Sequence, residues 1–255
     1  MLILDCKYRK NFQESFIRME EMLVWMANIF RIIQFPGNPE HRFAARLRYL
    51  CIQIGRMTMV MDMQIKMNPA FGEFEQMLVK VPRDEVNYEQ VYEDGRNFVG
   101  RISVGGKSFV VKRYVNVPLI KKALYSTILK SKAQQAYEKA DYLLRQGIET
   151  APPVAYIVVH RMGFYHTSYF ISEYLPYIPF RRMWKLVKVP REHDMLTKGY
   201  TAFRRLLAEK GISITDSNPD NTLVYKRDDG YHFAQIDINR IKINGWYYCF
   251  KRTRR

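Results

Sequence analysis

The chain has 255 residues and a formal net charge of +16, with 47% hydrophobic and 14% aromatic residues. That apolar share supports a globular core and excludes wholesale disorder. Cys6, Cys51 and Cys249 are scattered and odd in number, and the histidines do not cluster. This excludes a disulfide framework and a cysteine–histidine metal centre by spacing, and it suits a reducing compartment.

In chain order, the first feature is an apolar stretch, Met22 to Phe35, interrupted by Asn28 and Arg31. At about fourteen residues it is too short to cross a bilayer. It stands away from the N-terminus and lacks a small-residue cleavage site, which argues against a signal peptide. Phe35-Pro36-Gly37-Asn38-Pro39 ends it. A basic and apolar segment follows from Arg42 to Met67, with methionines at 57, 59, 61, 63 and 67. It reads as amphipathic helix, packed on a partner, on the rest of the chain or on a membrane surface. Residues 1–75 are therefore expected to form a helical extension, and residues 76–255 the main domain.

Residues 85 to 114 read as strands and hairpins. Tyr92-Glu93-Asp94-Gly95-Arg96-Asn97 is a turn between two strands, placed where a loop can cover phosphates, with Gly95 as its single glycine. Phe98 to Val104 and Lys107 to Tyr114 are strand-like and joined by the tight-turn dipeptide Gly105-Gly106. Lys112 ends the apolar run Phe109-Val110-Val111 and can present a point charge to phosphates; a solvated strand lysine is the simpler alternative. Pro118 to Gly147 reads as one long helix stopped by its glycine. Val154 to His160 and Tyr165 to Glu173 form another hairpin. Together these give an antiparallel sheet with a helix, an α+β lobe. Glu173-Tyr174-Leu175-Pro176 is either a hinge whose backbone holds an adenine edge or a plain strand end. Glu192 to Lys210 is an amphipathic helix delivering the chain to Gly211.

The densest chemical signal comes next, in Asp216-Ser217-Asn218-Pro219-Asp220-Asn221, followed by Asp237-Ile238-Asn239. Thr222 to Tyr225 and Tyr231 to Ile236 read as strands, with the turn Arg227-Asp228-Asp229-Gly230 between them. Closing that hairpin sets Asn221 at its entry and Asp237 at its exit on one end. Two oxygen donors then face one hard cation, the arrangement that suits Mg2+. Asp216 is positioned to orient an attacking hydroxyl, as in phosphoryl-transfer sites. Lys112, Asp216, Asn221 and Asp237 occur in the order such a site requires.

From about Glu85 to Lys242 the chain resembles the lipopolysaccharide kinase family, the Kdo and heptose kinases with a protein-kinase-like fold. The matching phrases include Phe109-Val110-Val111-Lys112-Arg113-Tyr114, Ala136-Tyr137-Glu138-Lys139-Ala140, Leu143-Leu144-Arg145-Gln146-Gly147-Ile148-Glu149-Thr150, and the Asp216 to Asn221 loop with Asp237-Ile238-Asn239-Arg240. The resemblance implies an α+β bilobal fold, with an antiparallel-sheet N-lobe over about 85–173 and a short helical C-lobe over about 174–255. It implies ATP and Mg2+ as cofactors and transfer of phosphate to a sugar hydroxyl of the lipopolysaccharide inner core. The location it implies is cytoplasmic, peripheral at the inner face of the inner membrane. Asp216 would be catalytic, Lys112, Gly95 and Glu173 would bind ATP, Asn221 and Asp237 would hold the metal, and Glu138 is a candidate partner for Lys112. Glu138 can equally be a solvated helix residue, because the family's acidic position falls near Ala136.

Two departures keep a second reading open. Ile214 stands where the family places a histidine, and eighteen residues follow Asp237 (255 − 237). A catalytically degenerate, kinase-like scaffold fits both. The charge bears on partners. Arg96 to Lys132 holds nine basic residues and no acid, and Arg181 to Arg191 holds five. Such runs suit a solvated face or a polyanion. An anionic glycolipid and a peripheral contact with an anionic membrane fit the resemblance. A nucleic-acid partner is not expected, because no zinc-finger, glycine-bracketed RNA-binding or basic heptad pattern is present.

Overall fold

The computed structural model describes residues 61–244 apart from Arg96, Met162 and Ser217. Most of the expected helical extension, with its Met22 to Phe35 stretch, lies outside the described residues. Among the described residues, 61–64 fall with the β-hairpin residues around 159–166 in a smaller compact unit, and 65–158 with 167–244 form a larger one that contains every candidate site residue.

The first described element is a strand, β1 (Met61–Met67), where helix is expected through Met67. The reason is visible in its sequence. Met, Asp, Met, Gln, Ile, Lys, Met alternates with period two, and from Asp62 to Met67 exposed and half-buried positions alternate with it. Two 3₁₀ turns, Pro69–Phe74 and Val81–Arg83, flank the short helix α1 (Glu75–Lys80).

A six-stranded sheet follows, in the order β1-β5-β6-β4-β3-β2. Its strands are β2 (Gln90–Asp94), β3 (Phe98–Val104), β4 (Lys107–Tyr114), β5 (Pro153–Arg161) and β6 (Phe164–Glu173). Gly105 and Gly106 both have positive φ, 59° and 77°, which is what a two-residue hairpin matching the strand twist needs. In β4, Phe109 and Val111 are buried while Lys112 points to the other face. Phe109 meets the Phe74 ring edge-on at 4.8 Å, a contact that adds about 1 kcal/mol to area burial.

The expected single helix from Pro118 to Gly147 is two helices, α2 (Leu119–Thr127) and α3 (Lys132–Arg145). The break has a local cause. Ser131 is extended and its hydroxyl accepts the Gln134 N–H, so a new N-cap starts there. Gly147, at φ 73°, ends α3.

The C-terminal half holds β7 (Ile178–Pro179), α4 (Phe180–Leu186), α5 (Pro190–Glu209) and β8 (Ile212–Ile214). The strands β9 (Thr222–Arg227), β10 (Gly230–Gln235) and β11 (Ile241–Ile243) complete it. The β9–β10 hairpin is regular, with Gln235 opposite Thr222. It packs on α5 through Phe233, whose ring stacks on Phe203 at 5.7 Å. Tyr177 and Tyr225 stack at 4.0 Å and both donate their hydroxyls to the Glu149 carboxylate, at 3.0 Å each. No helix among the described residues is long and apolar enough to cross a membrane.

Candidate active site

The site is assembled by two pairings. The β9–β10 register leaves Asn221 just before β9 and Asp237 just after β10. The Ile236 N–H and the Gln235 amide both donate to the Asn221 carbonyl, at 2.8 and 3.0 Å. Asn221 is thereby fixed beside the residue preceding Asp237. The second pairing joins β8 and β11, with Ile241 opposite Ile214. It places the Asp216 loop alongside the segment that follows Asp237.

Lys112 reaches this cluster from β4. Its Nζ lies 2.8 Å from Asp237 Oδ1, across 125 positions in sequence. Both side chains are mostly buried, at 20% and 24% exposure, so the contact is sheltered from screening. Asp237 has a left-handed backbone, φ 50° and ψ 47°, an uncommon state for a residue with a Cβ. The 3₁₀ turn Ile238–Arg240 begins there and carries Arg240 back over the carboxylates. Its guanidinium lies 3.0 Å from Asp216 Oδ2 and 3.5 Å from Asp237 Oδ2. Asp216 Oδ1 accepts the Asn218 N–H at 3.1 Å.

The Asn221 side chain makes no hydrogen bond among the described residues, while its backbone is held on both sides. Its amide oxygen and the Asp237 carboxylate are hard oxygen donors on one end of the hairpin, which fits Mg2+ with water or phosphate completing the shell. No group of three or more His, Cys, Asp or Glu side chains among the described residues could hold a metal.

The remaining candidates are placed less centrally. Glu138 on α3 does not meet Lys112: it pairs with Lys130 and accepts from Gln134 at 3.3 Å. The next residue, Lys139, is fully buried and donates to the Asn239 and Ile241 carbonyls, at 3.0 and 2.8 Å. The helix thus braces the segment after Asp237 through a lysine rather than holding Lys112 through an acid. Gly95 lies in the β2–β3 turn, and a Cβ there would meet nothing within 4 Å. Packing within the chain therefore does not demand a glycine. Glu173 ends β6, and its N–H donates to Pro152 O while that of Tyr174 donates to Ser108 O, both at 2.9 Å. Those two backbone amides are therefore already bonded within the protein.

Three contributors lay outside the sequence reading as site residues. Arg240 and Lys139 occur in the matched phrases without an assigned part. Arg181 on α4 reaches Asn218 Oδ1 at 3.1 Å and Asp220 Oδ2 at 3.3 Å, tying that helix to the Asp216 loop. Arg240 had a readable signal: it lies three residues after Asp237, one turn away.

No family model and no curated protein matches the chain. Among solved structures, the chain is similar to one described as "WaaP in complex with acyl carrier protein", with a TM-score of 0.52 and 15% identity. The match covers 71% of this chain and 73% of that one. The fold is protein-kinase-like. At this identity the likeness concerns the fold alone: an antiparallel six-stranded sheet combined with helices.

Proposed function

We propose that this protein is an ATP- and Mg2+-dependent phosphotransferase acting on a sugar hydroxyl of the lipopolysaccharide inner core. The observation that carries the reading is the 2.8 Å contact between Lys112 Nζ and Asp237 Oδ1, which joins a sheet lysine to the carboxylate after the β9–β10 hairpin. In this reading Asp237 and Asn221 hold the metal, and the metal neutralises phosphate charge when bound. Lys112 then serves the α- and β-phosphates, and Asp216 orients the acceptor hydroxyl and receives its proton. Catalysis is mostly positioning and charge stabilisation. The resemblance in sequence supports the glycolipid acceptor, and the basic runs suit a phosphorylated glycan at an anionic surface.

The test is Mg2+-dependent ATP consumption with a lipopolysaccharide core acceptor, compared with Asp237→Asn. Asparagine tolerates the left-handed backbone at this position, so the variant removes charge without refolding the turn. Turnover is expected to fall by at least about a hundredfold. Wild-type turnover in the variant would remove the metal assignment.

The catalytically degenerate scaffold remains the second reading, and one observation favours it. Lys112 and Arg240 already balance the charges of Asp216 and Asp237. A cluster neutralised by its own side chains can persist without nucleotide or metal.

A further inference from the structure

The guanidinium of Arg240 is the one group that touches both carboxylates of the cluster among the described residues. Its backbone is fixed on both sides: the N–H donates to Asp237 O at 3.1 Å, and the carbonyl accepts the Thr215 N–H at 2.8 Å and the Thr215 hydroxyl at 2.6 Å. The side chain therefore starts from a rigid point between the two loops. Its two ionic contacts are unequal. The fork is 3.0 Å from Asp216 Oδ2 through NH1, but 3.5 Å from Asp237 Oδ2 through Nε, at the edge of hydrogen-bonding distance. Asp237 also has Lys112 on its other oxygen, whereas Arg240 is the cation that Asp216 meets. A guanidinium keeps its charge at any working pH, and its planar fork can serve two acceptors at once.

We propose that Arg240 is a positioning residue: it holds Asp216 in place with and without metal, and yields Asp237 when a divalent cation takes that carboxylate. This deepens the phosphotransferase reading and rests on it. The longer contact is the one a cation on Asp237 displaces, and the shorter one keeps the orienting carboxylate aimed. Arg240 then acts on the metal in one direction and on the acceptor in the other. It competes for Asp237 and so weakens cation binding, while it fixes Asp216 and so supports turnover.

Those opposite signs make the test. Mn2+ binding to the full chain, with a non-hydrolysable ATP analogue, can be read from free Mn2+ by electron paramagnetic resonance. Arg240→Gln is expected to bind Mn2+ about three- to tenfold more tightly, because one competing positive charge is gone. Its kcat with Mg2+-ATP is expected to fall by about tenfold or more, with KM for ATP within about twofold. Arg240→Lys keeps the charge but not the fork, so it should bind Mn2+ about as wild type does while kcat still falls. Mn2+ affinity unchanged or weaker in a cooperatively folded Arg240→Gln overturns the proposal. Should that variant fail to fold, an Arg240→Lys variant with wild-type kcat overturns it instead. If the wild-type chain binds no Mn2+ with the analogue, the phosphotransferase reading falls and this proposal with it. If the wild type binds and only the variants behave otherwise, Arg240 alone is reassigned.

Discussion

At the scale of single residues, charge and hydrogen bonding do most of the arranging. Asp237 combines a left-handed backbone with two cationic neighbours, and the strain is tolerated because both flanking segments are paired. The Tyr177–Tyr225–Glu149 group is arranged in the same way, with two hydroxyls on one carboxylate. Burial first, and then the hydrogen bond to Glu149, push the Tyr225 hydroxyl up to about 12, and burial raises Tyr177 as well. The sign follows from linkage. A tyrosine that ionises later in the folded state than in the unfolded one contributes stability below its ordinary value, and this is lost as pH rises towards the folded value. Unfolding midpoints should therefore drop between about pH 10 and about pH 12, and Tyr225→Phe should flatten that decline. An unchanged alkaline limb in the variant would place the titration elsewhere.

At the scale of elements, α3 is the brace of the site. Lys139 carries a buried ammonium to two carbonyls on the segment that follows Asp237, one from the 3₁₀ turn and one from β11. Lys139→Met keeps the volume but leaves both carbonyls short of a donor. The expected cost is about 2 kcal/mol, the lost hydrogen bonds being partly offset by relief from burying a charge. Urea unfolding measures it, and a variant as stable as wild type would show that α3 does not hold this turn. The elements themselves were largely legible beforehand. Strand-like runs marked β3, β4 and the β9–β10 hairpin, and Gly105-Gly106 and Arg227-Asp228-Asp229-Gly230 marked their turns. Two were misread for definite reasons. The alternation in Met61–Met67 was hidden by methionine, which suits helix and strand alike. The cap at Ser131 was passed over inside a run of good helix formers. The Lys130 partner of Glu138 and the Asp216 contact of Arg240 were not legible, because they depend on how separate segments come together, and local pattern does not carry that.

At the scale of the whole molecule, the two function readings differ in how the fold responds to nucleotide. A site that holds Mg2+-ATP between the sheet lysine and the Asp237 segment would stabilise the folded chain by about 2.7 kcal/mol at a hundredfold excess over Kd. For a chain of this size that is roughly 5–10 °C in Tm. The gain should require Mg2+ and should shrink in Lys112→Met. A chain that acts as a scaffold should show no such response at any nucleotide concentration, and differential scanning fluorimetry separates the two.

The Lys112–Asp237 contact also has a consequence for when the site comes into being. The two side chains lie 125 residues apart, so on the ribosome the first waits roughly 6–25 s for the second to be made. The sheet around Lys112 can pair during that interval, but the lysine–carboxylate site is a long-range closure that forms only once the β9–β10 hairpin has been made. A nascent chain halted before the β9–β10 hairpin would hold its lysine without the Asp237 carboxylate, and nucleotide capture would mark the completion of that hairpin.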